Sequence, residues 1–144
     1  MEHDIEVSFP GGKRVDARVG DVVVHTDQPV ELGGEGSAAA PFDLFLSSLA
    51  TCAGFYVLAF CQARGLSTEG IRMRQHVELD SATKLPRRIS IDIALPASFP
   101  EPYRAAIVRA AQSCKVSKTL ASSPLIEVVA TASDAAHRSQ SPTS

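Results

Sequence analysis

The sequence predicts an α+β fold with one long buried helix at its centre and antiparallel strands around it. Three observations carry that prediction. The stretch Phe42 to Arg64 holds no charged residue from Leu44 to Cys61, so a helix there is apolar on every face, whereas a surface helix shows a single apolar stripe. Segments before and after it alternate apolar and polar residues, the two-residue period of half-exposed strands. The order strands, helix, strands, helices, strand differs from the regular alternation of a parallel βαβ sheet. A chain of 144 residues suits one domain. It is assigned to residues 1–132, with 133–144, small, polar and proline-containing, as a disordered tail.

Taken in order, Glu2 to Phe9 and Arg14 to His25 are rich in β-branched residues, with Pro10-Gly11-Gly12 as a turn between them. Gly20-Asp21 breaks the second segment into two short strands, the later one centred on Val22, Val23 and Val24. Residues 26–40 are too rich in glycine and small residues to form an element. Pro41 opens the long helix at a position where its missing N–H costs nothing. Arg64 and Gly65 close it, the first as a cation for the helix dipole and the second as a left-handed cap. Between Thr68 and Asp80, Ile71, Met73, Gln75, Val77 and Leu79 face one way, against Arg72, Arg74, His76 and Glu78. Ile89, Ile91, Ile93 and Leu95 repeat the pattern as a hairpin partner after a turn at 81–84. Tyr103 to Gln112 has helical spacing, with Ala106, Ile107, Ala110 and Ala111 inward. Lys115 to Ala121 makes a further short helix with Ser113 as its N-cap, and Leu125 to Ala132 is a last strand.

The central helix runs to roughly 33 Å. Its uncharged length meets the lower limit for a membrane span. Ser47, Ser48, Thr51, Cys52 and Gly54 dilute its hydropathy, however, and no Lys/Arg cluster flanks it to set an orientation. It therefore reads as a core helix and not as a span. The strands of one chain cannot enclose so long a helix, and a wet apolar face of that size is rare on a monomer. A homodimer in which two such helices pack together resolves the conflict.

Charge is nearly balanced, at −2 with a pI near 6.1, which suggests neither a nucleic-acid partner nor an anionic membrane surface. The acidic start Met-Glu-His-Asp lacks the basic region of a signal peptide. Three cysteines are an odd count, unlike a disulfide-stapled secreted framework. The expectation is a cytoplasmic protein.

Little else in the chain suggests catalysis. His3, His25, His76 and His137 are scattered, and no pair has metal-ligand spacing. No phosphate-binding glycine loop and no GxSxG elbow are present, so neither a metal nor a bound cofactor is expected. The cysteines remain. Cys61 follows Cys52 by nine residues, half a turn out of phase and ~13 Å along the helix, so the two cannot bridge. Cys61 reads as a small core hydrophobe. Cys114 opens a short helix with Lys115 and Lys118 close by, a setting that favours a thiolate. Cys52 by pattern alone is as readily a buried apolar residue.

Several motifs together resemble the OsmC/Ohr family. They are Asp27-Gln28-Pro29, Gly33-Gly34, and Ala40-Pro41-Phe42-Asp43-Leu44-Phe45-Leu46 leading into Ser48-Leu49-Ala50-Thr51-Cys52. The run Cys114-Lys115-Val116-Ser117-Lys118-Thr119-Leu120 follows some sixty residues later. The likeness spans about residues 5–131 and is nearer the broad OsmC-like branch than the organic-hydroperoxide-resistance branch. It implies an intertwined α+β homodimer with central helices wrapped by sheets. It also implies a thiol-dependent peroxidase acting on alkyl or fatty-acid hydroperoxides, in which Cys52 is the peroxidatic thiolate, Cys114 the resolving cysteine, and an external dithiol the reductant. On an ideal helix Phe45, Leu49, Phe55 and Tyr56 share the Cys52 face and are the candidate substrate wall.

Cys52 lies mid-helix, where its own helix dipole cannot lower its pKa, so a cation must be brought to it. The resemblance implies an arginine from an early strand, for which Arg14, after a Gly-Gly pair, and Arg18 are the candidates. The carboxylate that holds this arginine in the family falls at Phe42 here, leaving Asp43 one place later as the acidic candidate. The family's proline after the second cysteine is replaced by Lys115. Two other readings stand beside the peroxidase: a lipophile-binding dimer without redox turnover, and a Cys-His acyl-transfer enzyme with His25 or His76 as base to Cys52.

Overall fold

The computed structural model describes residues 4–133. Three strands come first: β1 (Ile5–Gly11), β2 (Arg14–Val19) and β3 (Val22–Thr26), joined as an antiparallel meander. The turn between β1 and β2 falls one residue later than expected, at Gly12-Lys13, because β1 continues through Pro10 to Gly11 beyond an irregularity after Ser8. Opposed residues share a sheet face. The register therefore gathers Ile5, Val7, Ala17, Val19, Val22 and Val24 on one face and Glu6, Ser8, Arg14, Asp16, Arg18 and His25 on the other.

The long helix α1 (Pro41–Ala63) begins at the proline and ends where expected. Gly65 is left-handed at φ 63°. Arg64 donates to the Phe60 carbonyl at 3.2 Å while its guanidinium lies 3.7 Å from the Phe60 ring centroid. Leu49, Ala53, Val57, Phe60 and Cys61 form a buried stripe at three- and four-residue spacing. The rest of the helix is open, and 28 % of its most apolar window is buried within the chain. The all-round burial expected for it is thus not achieved by one copy: Phe42, Phe55 and Leu58 are exposed.

The hairpin β4 (Arg72–Leu79) and β5 (Pro86–Ala94) forms a second, separate antiparallel sheet. Ile71, Met73, Gln75 and Val77 turn inward as expected, while Leu79 is exposed and Glu78 half-buried. A register shift between Glu78 and Leu79 reverses the alternation there. Helices α2 (Arg104–Gln112) and α3 (Lys115–Ala121) follow. Ala53, Val57, Phe60 and Cys61 pack with Phe99, Ile107 and Ala111 into one core, and Gln75 Nε2 ties β4 to α1 through the Leu46 carbonyl at 3.0 Å.

Two expectations need correction. Ser113 ends α2, and the N-cap of α3 is Cys114, whose side chain accepts from Ser117 N–H. Leu125 to Ala132 joins no sheet; the segment is exposed, Val128 at 93 %. The segment pairs with none of the open edges that the two sheets leave, so its backbone groups have no ladder partner within the chain. From residue 134 onward the tail, like Glu2 and His3 at the start of the first predicted strand, lies outside the described residues.

Candidate functional site

The residues of interest meet where α3 abuts α1. Cys114 is buried, and its Sγ donates toward the Leu49 carbonyl at 3.9 Å while accepting from Ser117 N–H at 3.5 Å. Leu49 is one helical turn before Cys52, so this contact sets the first turn of α3 against the turn that carries Cys52. The nearby backbone N–H of Val116 favours the Cys52 thiolate most, then the Cys114 thiol, with smaller favourable effects from the Lys115 N–H and ammonium. Together they hold the Cys52 thiol below the ordinary cysteine range, against a smaller opposing effect of burial.

Cys114 behaves oppositely. Burial pushes its thiol up, and the neighbouring Cys52 adds to that effect against the Ser117 N–H. The expectation that Lys115 and Lys118 would favour a thiolate at Cys114 is overturned. Sequence proximity pointed to Cys114, but in the fold Lys115 and Val116 act to lower the pKa of Cys52. The helix end missing from Cys52's own helix is supplied by another helix. Cys61 is fully buried in the core, and burial raises its pKa.

Beside Cys114 lies a cavity of about 300 Å³, lined by Leu49, Ala53, Ile91, Val108, Cys114 and Ser117 among others; Cys52 is not one of the residues that line it. Of the four residues expected to form a substrate wall, Leu49 lines it. Phe45, Phe55 and Tyr56 do not. Phe45 stacks on Phe42 with centroids 5.9 Å apart, and Phe55 meets Tyr56 edge-on at 5.6 Å on the open side of the helix. The four share a broad face but spread about 16 Å along the helix axis, and the cavity meets that axis only at Leu49 and Ala53.

Arg14 lies on the polar face of the β1–β3 sheet. Its Nη2 is 3.3 Å from Asp16 Oδ2, which His25 Nδ1 approaches at 2.9 Å. The structure thus gives Arg14 a carboxylate partner that sequence reasoning missed; the alternation Arg14-Val15-Asp16 within a strand was the available signal. Arg18 is exposed on the same face. Asp43 is exposed in the first turn of α1, where the helix dipole suffices to explain it. Among the described residues no salt bridge joins Asp43 to Arg14, and no cluster of three His, Cys, Asp or Glu side chains could hold a metal ion.

Asp27, 1 % exposed, explains another of the sequence motifs. Its carboxylate accepts from the Ser37 hydroxyl at 2.6 Å, from Ser37 N–H at 3.0 Å, and from Gln28 and Glu35 N–H groups. These bonds lower its pKa to about 2. A Cβ on Gly34 would lie 1.9 Å from the Gln28 carbonyl oxygen, so the Gly33-Gly34 pair and Asp27 belong to one folded loop leading into α1.

The sequence profile of the OsmC-like protein family matches residues 34–129. The chain belongs to the OsmC-like family. No curated protein matches it in sequence. Solved structures share its fold. A Psychrobacter arcticus protein named for osmotic-stress induction and a detoxification response is 21 % identical, with a TM-score of 0.66 over 80 % of this chain and 85 % of that one. An OsmC-like protein from Mycoplasma pneumoniae is 16 % identical, with a TM-score of 0.66 over 85 % of this chain and 89 % of the other. An organic hydroperoxide resistance protein from Legionella pneumophila is 23 % identical, with a TM-score of 0.53 over 83 % and 89 %.

Proposed function

We propose that this OsmC-like chain is a cytoplasmic, homodimeric thiol peroxidase that reduces organic hydroperoxides. The observation that carries the reading is the asymmetry of two adjacent thiols. Cys52 is held toward the thiolate, while Cys114 beside it is held protonated by burial. A peroxidatic and resolving pair needs that division. The Cys52 thiolate attacks one oxygen of the O–O bond and becomes a sulfenic acid, and the departing alkoxide takes a proton to leave as the alcohol. Cys114 condenses with the sulfenic acid to a disulfide, releasing water. An external dithiol returns both thiols by exchange, which requires a reducing compartment and no bound cofactor. The cavity beside Cys114, walled largely by Leu49, Ala53, Ile89, Ile91, Ile93 and Val108, favours an alkyl over a small polar peroxide.

The dimer rests on surfaces that one copy leaves uncovered: the apolar face of β1–β3, the open side of α1 and the segment 125–129. It also bears on Arg14, which makes no contact with Cys52 in its own chain and reaches such a site only from a second copy. The acyl-transfer alternative gains one observation, since Asp16 orients His25 as a base would require.

Thiol counting before and after one equivalent of an alkyl hydroperoxide tests the reading. Loss of two thiols per chain, with Cys52 and Cys114 linked and Cys61 free, is expected. Cys52→Ser should abolish consumption, and Cys114→Ser should allow the first oxidation but stop dithiol turnover. Unchanged thiols refute the peroxidase, and thioester hydrolysis lost in both Cys52→Ser and His25→Ala would favour acyl transfer.

A further inference from the structure

Lys115 occupies the first helical position of α3, directly after the N-cap Cys114. The buried Cys114 Sγ rests on the Leu49 carbonyl, one turn from Cys52 on α1, and this contact anchors Lys115 at the Cys52 turn. Its side chain is exposed, and among the described residues it forms no salt bridge. The cations expected from the early strands are elsewhere: Arg14 is engaged by Asp16, and β1–β3 packs chiefly upon itself. Around Cys52, α1 carries no charge from Leu44 to Cys61, and β4 presents Gln75 and Met73 to the helix. On α2, Arg104 is tied to Glu101 and the Pro96 carbonyl, and Arg109 is exposed. We propose that Lys115 is the cation that each chain supplies to its own Cys52, in addition to whatever a second copy brings.

The groups acting on Cys52 agree with this placement: after the Val116 N–H and the Cys114 thiol, the backbone N–H and the ammonium of Lys115 make the smaller favourable contributions, and the ammonium is the one full charge among them. A proline at this position would supply neither. The consequence for turnover rests on the peroxidase reading; the assignment of the cation does not. The ammonium is solvent-exposed and acts through a high effective dielectric, so removing it should raise the Cys52 titration by roughly half a pKa unit. That corresponds to about a threefold loss of thiolate below the midpoint.

The test is the pH dependence of alkylation at each cysteine, read by peptide mass spectrometry on the full chain. Lys115→Met, which keeps the N–H and the apolar stem, should move the Cys52 midpoint upward by that amount. Lys115→Arg should restore it, and Lys118→Met should leave it in place. Added salt should raise the midpoint in the parent chain and have little effect in Lys115→Met. An unchanged midpoint in Lys115→Met, or an equal shift in Lys118→Met, overturns the proposal. Hydroperoxide consumption is measured in parallel. Its absence from every variant counts against the peroxidase reading alone, because the midpoint shift still decides whether Lys115 is the cation.

Discussion

The two halves of this chain solve the problem of apolar surface differently. In the helical half, the α1 stripe, α2 and the β4–β5 hairpin bury Ile107 and Cys61 completely. In the β1–β3 sheet the register is just as regular, yet Ile5, Val7 and Val22 are more than half exposed on its apolar face. Amphipathic patterning specifies which side of an element is apolar. It does not specify whether the surface that covers that side belongs to the same chain.

The largest effect expected of a substitution is in the helical half. Ile107→Ala should cost about 2–5 kcal/mol in denaturant unfolding, because its cavity is enclosed on all sides. The matched change Val7→Ala in the open sheet should cost less than ~0.5 kcal/mol at dilutions where the protein is monomeric. At concentrations where it sediments as a dimer, the same change should cost more. An equal cost at every dilution would mean that nothing covers that face and would break the comparison.

Next in size is the loop that joins the halves. Gly34→Ala should destabilise by about 2–4 kcal/mol, since the clash is with backbone that cannot rotate away. Melting of the variant and of Gly36→Ser, where added atoms meet open space, separates crowding from loss of glycine freedom.

A smaller, pH-dependent effect follows from Asp27. Its pKa is lowered from 3.8 to about 2, so ionisation favours the folded state. That contribution is fully present above about pH 4 and is lost progressively as pH falls toward 2. Asp27→Asn should flatten the stability profile across that window and leave the rest unchanged; a profile as steep as the parent's would assign the acid sensitivity elsewhere. The smallest effect is expected at the hairpin surface. The Arg87 and Glu78 side chains, 3.7 Å apart, the first exposed and the second half-buried, should contribute under ~0.5 kcal/mol in a double-mutant cycle.

Elements whose partners lie within the chain were legible in the sequence. The α1 limits, the β4–β5 hairpin and the inward faces of α2 follow from period, proline and glycine. Leu125 to Ala132 has the composition of a strand, but an unpaired edge is a tertiary property, and composition carries no information about it. The site was half legible. The two cysteines stood out through their surrounding motifs. The resemblance singled out Cys52 for the thiolate, but the groups that lower its pKa were not legible, because Lys115 and Val116 lie more than sixty positions away in the chain. Phe45, Phe55 and Tyr56 were placed by an ideal wheel that ignores what packs on each side.

Cys61 has a consequence of a different kind. It is sealed in the core, 0 % exposed, with a thiol that burial keeps protonated. A labelling reagent reaches it only when α1 and α2 separate, so its modification rate counts opening events of that core under fully native conditions. With reagent in excess the rate levels off at the opening rate itself. The chain thus carries its own internal clock for core opening, legible without denaturant.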